Sequence, residues 1–331
     1  MSNQQVILVN RPTGVAQATD FIIRTGSIGE VQEGQLLVRN HFLSVEPAMR
    51  GWIADAGNYS SPVAIGEVMR ALASGEVIAS RHPDYRQGDF VMGWLGWQDY
   101  AVVDPGQIVQ RTNKAELSAS LGILGLTGVT AYLALTGVGD PRPGETVVIS
   151  TAAGAVGSTA GQIARILGCR TVGITGGPAK VRMCVDDFGY DAAIDYQGED
   201  VSTRIAAHRP DGVDIYFDNT AGAISDAVLP HLALRGRIVI CGTAAIQRWD
   251  DWPIGPRVER HLLVKRARME GFVIFDHMDH YGEAVERLRA WLAEGRLIHR
   301  EDILDGIHAC PDALAGLYRG ENRGKRLIRL V

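Results

Sequence analysis

Cysteine is scarce: the 331 residues hold four, Cys169, Cys184, Cys241 and Cys310, and no two stand in CxxC spacing. That argues against a disulfide framework and a zinc knuckle, and predicts a reducing compartment, the cytoplasm. Runs of Lys or Arg are missing too. With 33 basic against 38 acidic residues the net charge is −5, which points away from a nucleic-acid partner. The start, MSNQQVILVN, lacks the basic stretch and apolar core of a secretory signal. No GxSxG occurs, so a hydrolase nucleophile elbow is excluded. A hydrophobic fraction of 46% excludes whole-chain disorder, and the length suggests two domains.

The one long uncharged run, 117–139, has 23 residues, enough to span a bilayer by length. Its five Gly and five Ser/Thr, with no basic flank or aromatic belt, read instead as a buried helix at a domain junction, and no membrane partner is expected.

Two grammars divide the chain. Up to about residue 115, short apolar or alternating runs (6–9, 35–40, 75–80, 89–93, 100–103) are broken by Gly, Pro and Asp, predicting a small, mostly β unit. After Pro143-Gly144, strand-like runs at 146–150, 171–175, 192–194, 213–218 and 237–241 alternate with helix-length segments at 156–167, 178–188, 201–208 and 224–234. Continuous apolar strands separated by helices predict βαβ units and a parallel, doubly wound sheet. The stretch 262–274 suggests a last strand, and 283–294 an amphipathic helix with Val285, Leu288, Trp291 and Leu292 on one face.

Within VVISTAAGAVGSTAGQIARILGC, a strand runs into a Gly-containing turn and then a helix. Gly154 and Gly157 fall at the second and third glycines of GxGxxG, with Ala152 at the first. The second lets backbone N–H groups approach a pyrophosphate, and the third lets helix and strand pack closely. Ala153, Gly154, Ala155, Val156 and Gly157 are thus the expected dinucleotide turn, on the partial positive charge of a helix N-terminus. A tight packing turn without a ligand is the plainer alternative. The second strand ends TVGITGGPAKVRM, where an NAD site would carry Asp or Glu for the ribose 2′-OH. Thr175, Gly176 and Gly177 offer no acid, and Lys180 and Arg182 follow, so a 2′-phosphate and hence NADP(H) are expected. Arg182 equally suits a solvated helix face.

The phrases FLSVEPAMRGW (42–52), GLTGVTAYLAL (125–135), AAGAVGS (152–158), DYQG (195–198), DIYFDNTAG (214–222), ICG (240–242), RARMEGFVIFD (266–276) and GENRGKRL (320–327) run the length of the chain. In that order they resemble the zinc-free medium-chain dehydrogenase/reductases: prostaglandin reductases, leukotriene hydroxydehydrogenases, bacterial curcumin reductases and plant double-bond reductases. The resemblance implies a GroES-like, mostly β catalytic domain (1–124 with 300–331), a Rossmann NADP-binding domain (125–299), bound NADPH and a homodimer. It implies that Lys180 and Tyr196 hold the 2′-phosphate. It places Thr130, Asn219, Cys241, Gly242, Phe272, Val273, Ile274 and Asn322 around the cofactor, and Tyr59 by the substrate carbonyl. Two departures stand out. Ala221 replaces a glycine of the family's DNxGG stretch, and Gln247 stands at a cofactor-side position where the family usually has Tyr.

No metal is expected. The position of the first zinc cysteine of the superfamily's zinc alcohol dehydrogenases falls within SVEPAMR, and their His-Glu pair is here Gly66-Glu67, leaving too few ligands. His277 and His280 flank Met278-Asp279, but two His without a third placed ligand read as an ordinary helix start. Trp52, Trp94 and Trp97 suit either the core or a wall for flat conjugated substrates. The resemblance implies reduction of the C=C bond of an α,β-unsaturated ketone or aldehyde: hydride goes to the β-carbon, and Tyr59 or a ribose hydroxyl steadies the carbonyl oxygen. Quinone reduction, or NADP binding without catalysis in a redox sensor, are the alternatives.

Overall fold

In the computed structural model, residues 2–56, 58–209, 211–246, 248 and 253–331 are described. The chain divides into two units, one of residues 1–122, 247–251 and 301–331, the other of 123–246 and 252–300.

The first unit begins with strands β1 (Ser2–Leu8), β2 (Phe21–Ser27) and β3 (Leu36–Ser44) and the short helix α1 (Met49–Trp52). Strands β4 (Leu72–Ser80), β5 (Phe90–Trp94), β6 (Tyr100–Val103) and β7 (Ile108–Thr112) follow. Five of these, β1, β3, β4, β5 and β6, overlap the runs expected at 6–9, 35–40, 75–80, 89–93 and 100–103, where Gly, Pro and Asp punctuate the chain; β2 and β7 fall outside the expected runs. Gly75 is required: a Cβ there would collide with the Arg39 carbonyl across the β3–β4 pair.

The second unit opens with α2 (Leu126–Leu133), then alternates β8 (Thr146–Ser150), α3 (Ala155–Ile166), β9 (Arg170–Thr175), α4 (Pro178–Arg182), β10 (Ala192–Asp195), α5 (Val201–His208), β11 (Val213–Asp218), α6 (Gly222–Val228) and β12 (Leu232–Ile240). It closes with α7 (Glu259–Lys265), β13 (Arg268–Gly271) and α8 (Tyr281–Ala293). The sheet order is β10-β9-β8-β11-β12-β13, every pair parallel. Chain direction across the sheet therefore reverses between β8 and β11, and a crevice opens at the carboxyl ends of such strands, where open α/β sheets bind ligands. Every residue of β8 is buried, as its run of apolar residues with two hydroxyls requires between two helical layers.

The chain then returns to the first unit with β14 (Glu301–Asp305), α9 (Cys310–Tyr318) and β15 (Lys325–Arg329). That unit's main sheet runs β14-β15-β3-β4-β5-β7, with β6 also on β3; β1 and β2 pair separately. The tail thus supplies two strands to the sheet, and β15 lies antiparallel to β3. Lys325 is buried there. Its ammonium donates to Ser44 Oγ at 2.6 Å and Glu46 Oε1 at 3.1 Å. Burial lowers its pKa, and Glu46 opposes the fall.

Three sequence expectations change. The uncharged run is no continuous helix: a 3-10 turn (Ala119–Leu121) precedes Gly125, which caps α2, and a π-turn (Ala134–Gly139) follows. Its glycines break it, and among the described residues no helix is long and apolar enough to cross a membrane. The helix expected over 224–234 ends at Val228. Pro230 cannot donate into an α-helix, so a 3-10 turn intervenes and β12 starts at Leu232. The strand expected over 262–274 is half helix: α7 runs to Lys265, Arg266 turns left-handed at φ 48°, and only Arg268–Gly271 is strand. Of the tryptophans, Trp97 and Trp52 are core. Trp97 Nε1 donates to the Ser44 carbonyl at 2.9 Å, and Trp52 meets the half-buried Trp94 edge-on at 5.5 Å between centroids.

Candidate functional site

The turn after β8 is shaped by its small residues. Thr151 takes a positive φ of 53°, Ala152 N donates to the Ile174 carbonyl at 3.0 Å, and Gly154 N donates back to Thr151 O at 2.8 Å. Gly154 is the extended residue before α3, and no side chain caps the helix there. A Cβ on Gly154 would lie 2.9 Å from Thr151 Cγ2, and one on Gly157 would collide with the Thr151 carbonyl. The first turn of α3 carries no acidic residue, so its N–H groups and partial positive charge are not offset by a side chain. Ala153, Ala155 and Val156 lie in or beside this turn, and Gly161 and Gly173 leave room for the Tyr190 ring, whose hydroxyl donates to Gly157 O at 2.7 Å.

At the end of β9, Thr175 is buried and its carbonyl accepts from Tyr196 N at 3.1 Å. Tyr196 leans over Gly176, where a Cβ would lie 3.1 Å from the phenol oxygen. Gly177 has φ 83°, and Pro178 then starts α4, which carries Lys180 and Arg182 and no acid in its first turn. The fold therefore brings Lys180 and the half-exposed Tyr196 to one turn, although they are far apart in sequence.

At the switch point, Asp218 ends β11 fully buried. Its carboxylate accepts from Ser150 Oγ, Tyr216 Oη, Ser225 Oγ, both Thr220 donors and Ala221 N. Asn219 Nδ2 donates to the Ser150 carbonyl at 2.7 Å, fastening the β11 turn to the end of β8. Next door, Cys241 N and Gly242 N donate to the Asp218 carbonyl at 2.8 and 3.1 Å. Burial pushes the Cys241 thiol up to about 12, so it stays a thiol at neutral pH. Phe272 N donates to Ile240 O at 2.9 Å, and its ring stacks on His277 at 4.7 Å, which gives that histidine a packing role. Val273 and Ile274 follow Phe272, and Thr130 lies on α2, half-buried.

The remaining expected residues lie elsewhere. Tyr59 and Asn322 belong to the first unit, and Gln247 lies outside the described residues. Tyr59 is 52% exposed and lines a shallow concavity of about 440 Å³ with Asp55, Asn58, Ser60 and Ser61. The Asn322 amide donates to Gly324 O at 2.9 Å within its own turn. Among the described residues no three His, Cys, Asp or Glu side chains converge as metal ligands. Sequence reasoning passed over Tyr190 and Asp218. An aspartate at the C-terminal end of an apolar strand was the available signal for the second.

Residues 4–110 match the family described as the N-terminal domain of oxidoreductase, and 155–290 match zinc-binding dehydrogenase. The NADPH-dependent curcumin reductase of Escherichia coli is 38% identical over 99% of this chain and 97% of its own. The NADP(+)-dependent 2-alkenal reductase of Nicotiana tabacum is 37% identical over the same shares. The chain belongs to the zinc-independent medium-chain dehydrogenase/reductases. Within that family, the crystal structure of CurA from Vibrio vulnificus in complex with NADPH superposes with a TM-score of 0.94, at 38% identity, covering 99% of each chain.

The family's glycine stretch after β11 makes the departure at Ala221 physically legible. Ala221 has φ 59° and ψ −163°, a region that is close to glycine-only. The hydrogen bond from its N–H to Asp218 holds it there at 2.9 Å. Ala221→Gly is expected to raise stability by about 1 kcal/mol: relief of strain worth about 1–3 kcal/mol, less about 0.5–1 kcal/mol of added unfolded-state entropy. Urea unfolding checks this; a midpoint that stays put or falls overturns the strain assignment.

Proposed function

We propose that this protein is an NADPH-dependent reductase of the C=C bond in α,β-unsaturated ketones and aldehydes. The observation that carries the reading is full-length similarity to reductases of curcumin and 2-alkenals, both conjugated carbonyl compounds, joined to a β9 turn without an acid. The second unit fits the cofactor. The β8 turn and the uncapped N-terminus of α3 suit its pyrophosphate, and Lys180 with Tyr196 suits its 2′-phosphate. Asn219, Cys241, Gly242, Thr130 and Phe272–Ile274 are assigned to its nicotinamide half, and Asn322 and Gln247 are carried with them on the family resemblance. When bound, NADPH supplies the hydride that adds to the β-carbon of the conjugated bond.

Negative charge then grows on the substrate's carbonyl oxygen and is discharged when the α-carbon takes a proton from Tyr59 or water. In a zinc-independent enzyme it must be met by hydrogen-bond donors. We assign Tyr59 that role. Its phenol is exposed beside a polar concavity, and with Gln247 in place of the family's other Tyr it has less support from a second phenol. The first unit is read as the catalytic domain and the second as the cofactor domain. Free cysteines suit a cytoplasmic location.

Incubation with NADPH and an enone, a quinone or a saturated aldehyde, followed by absorbance, tests the activity. Consumption with the enone alone is expected, and turnover of the quinone alone overturns it. Lys180→Ala should weaken NADPH roughly ten- to a hundred-fold, the loss of a charged hydrogen bond worth about 1.5–3 kcal/mol, and leave NADH nearly unchanged. Equal weakening of both defeats the phosphate assignment. Tyr59→Phe keeps the ring and should cut kcat about a hundred-fold with cofactor affinity intact; a kcat within about two-fold makes Tyr59 structural. A homodimer is supported by β13, whose outer edge carries no strand among the described residues, and by the exposed Met269 on that strand. Sedimentation equilibrium should return twice the 35.8 kDa chain mass, and a monomer at micromolar concentration overturns this.

A further inference from the structure

We propose that Asp195 is a positioning residue that assembles the 2′-phosphate wall, and through it sets the preference for NADPH over NADH. The inference rests on the NADP reading above. An acid beside a phosphate site is unexpected, since a free carboxylate would repel the dianion. Asp195 ends β10 directly across from Thr175 at the end of β9. Its Oδ1 accepts from the Gly177 N–H at 2.7 Å and from the Gln197 N–H at 3.0 Å. That oxygen of the carboxylate is therefore committed to backbone donors, and the Asp195 N–H donates to Glu199 Oε2 at 2.9 Å. Glu199 in turn pairs with Arg204 at 2.9 Å, so this second acid is also matched.

The two donors are the informative part. Gly177 begins α4: its carbonyl accepts from Lys180 N at 3.1 Å, so the residue that Asp195 grips also seats the helix carrying Lys180. Gln197 directly follows Tyr196, whose own N–H is tied to Thr175 O. One carboxylate oxygen thus bridges the turn that presents Lys180 and the loop that presents Tyr196. Gly177 lies at φ 83°, where a tether is needed to hold a conformation that glycine alone would leave loose. Gly176 records the closeness that results, because a Cβ there would lie 3.1 Å from both Gln197 Nε2 and Tyr196 Oη. A charge-assisted bridge of this kind positions the wall before the phosphate arrives, which lowers the ordering cost of binding. NADH has no phosphate and draws nothing from the wall.

The test compares wild type, Asp195→Ala and Asp195→Asn, with NADPH and NADH dissociation constants from nicotinamide fluorescence and kcat and KM with each cofactor. Asp195→Ala should weaken NADPH about ten-fold and NADH less than about three-fold, with kcat at saturating NADPH within about two-fold of wild type. Asp195→Asn keeps an amide oxygen that can accept both N–H groups, and should restore the NADPH constant to within about three-fold. A purely structural role would lower both affinities together, so NADH binding also reports whether the variants are folded. Equal loss for both cofactors, an unchanged preference in Asp195→Ala, or an Asp195→Asn as weak as the alanine variant each overturns the proposal. A wild type with no preference for NADPH overturns the cofactor reading and the proposal with it. A wild type that prefers NADPH alongside an Asp195→Ala that keeps the preference overturns the proposal alone.

Discussion

A single buried carboxylate organises the second unit at its switch point. Taking a carboxylate out of water costs several kcal/mol unless nearly every lone pair is matched. Asp218 meets that condition with donors from β8, from its own strand and from the turn beyond it. Hydrogen bonds to a charged acceptor contribute about 1.5–3 kcal/mol each, roughly twice a neutral pair. The strands on either side of the chain reversal are thereby joined at their carboxyl ends through Ser150, whose Oγ donates to Asp218 and accepts from Asn219 N at 2.8 Å. The strain at Ala221 follows from the same commitment, since its N–H must point at the carboxylate.

Close packing supplies what polar contacts cannot. The distance between α3 and the sheet is set by residues without side chains. Gly157 rides on Thr151, and Gly161 and Gly173 accept the flat of Tyr190. The same ring spends its hydroxyl on the Gly157 carbonyl, so a large aromatic fills the groove the glycines open and leaves no buried donor unmatched. The back of the β8 turn is packed, and its front stays open because the residue before α3 is a glycine with no side chain to cap it.

Much of this was legible in the sequence, and the reasons differ by element. The parallel sheet could be read because β8 and β11 have apolar centres, Val147–Ile149 and Ile215–Phe217, within segments of ordinary strand length. The boundaries of α6 and α7 were harder. Leucines lie on both sides of Pro230-His231, and Leu262–Val264 of α7 read equally well as strand before the basic stretch Lys265–Arg268, so periodicity alone cannot place the breaks. The β8 turn could be read from Gly154 and Gly157, whose spacing has one mechanical use. Tyr190 could not be read as an anchor, because its importance lies in partners brought together by tertiary structure, and Asp218 left only its place at the end of a strand as a signal. The pairing of Lys180 with Tyr196 was likewise a matter of family resemblance, since nothing local joins a helix start to the end of another strand.

The β9 turn shows why the absence of an acid is only half of a phosphate preference. Removing a carboxylate from the end of the second strand removes repulsion, but it also removes an acceptor that could order the glycines there. Gly176 and Gly177 have no side chains with which to fix themselves, and an unrestrained pair would lose conformational entropy of about 1–2 kcal/mol per residue on binding. Here the acceptor comes from the neighbouring strand, where Oδ1 of Asp195 takes two backbone N–H groups. The turn keeps an anchored geometry without an acid of its own, because the carboxylate that holds it stands one strand away.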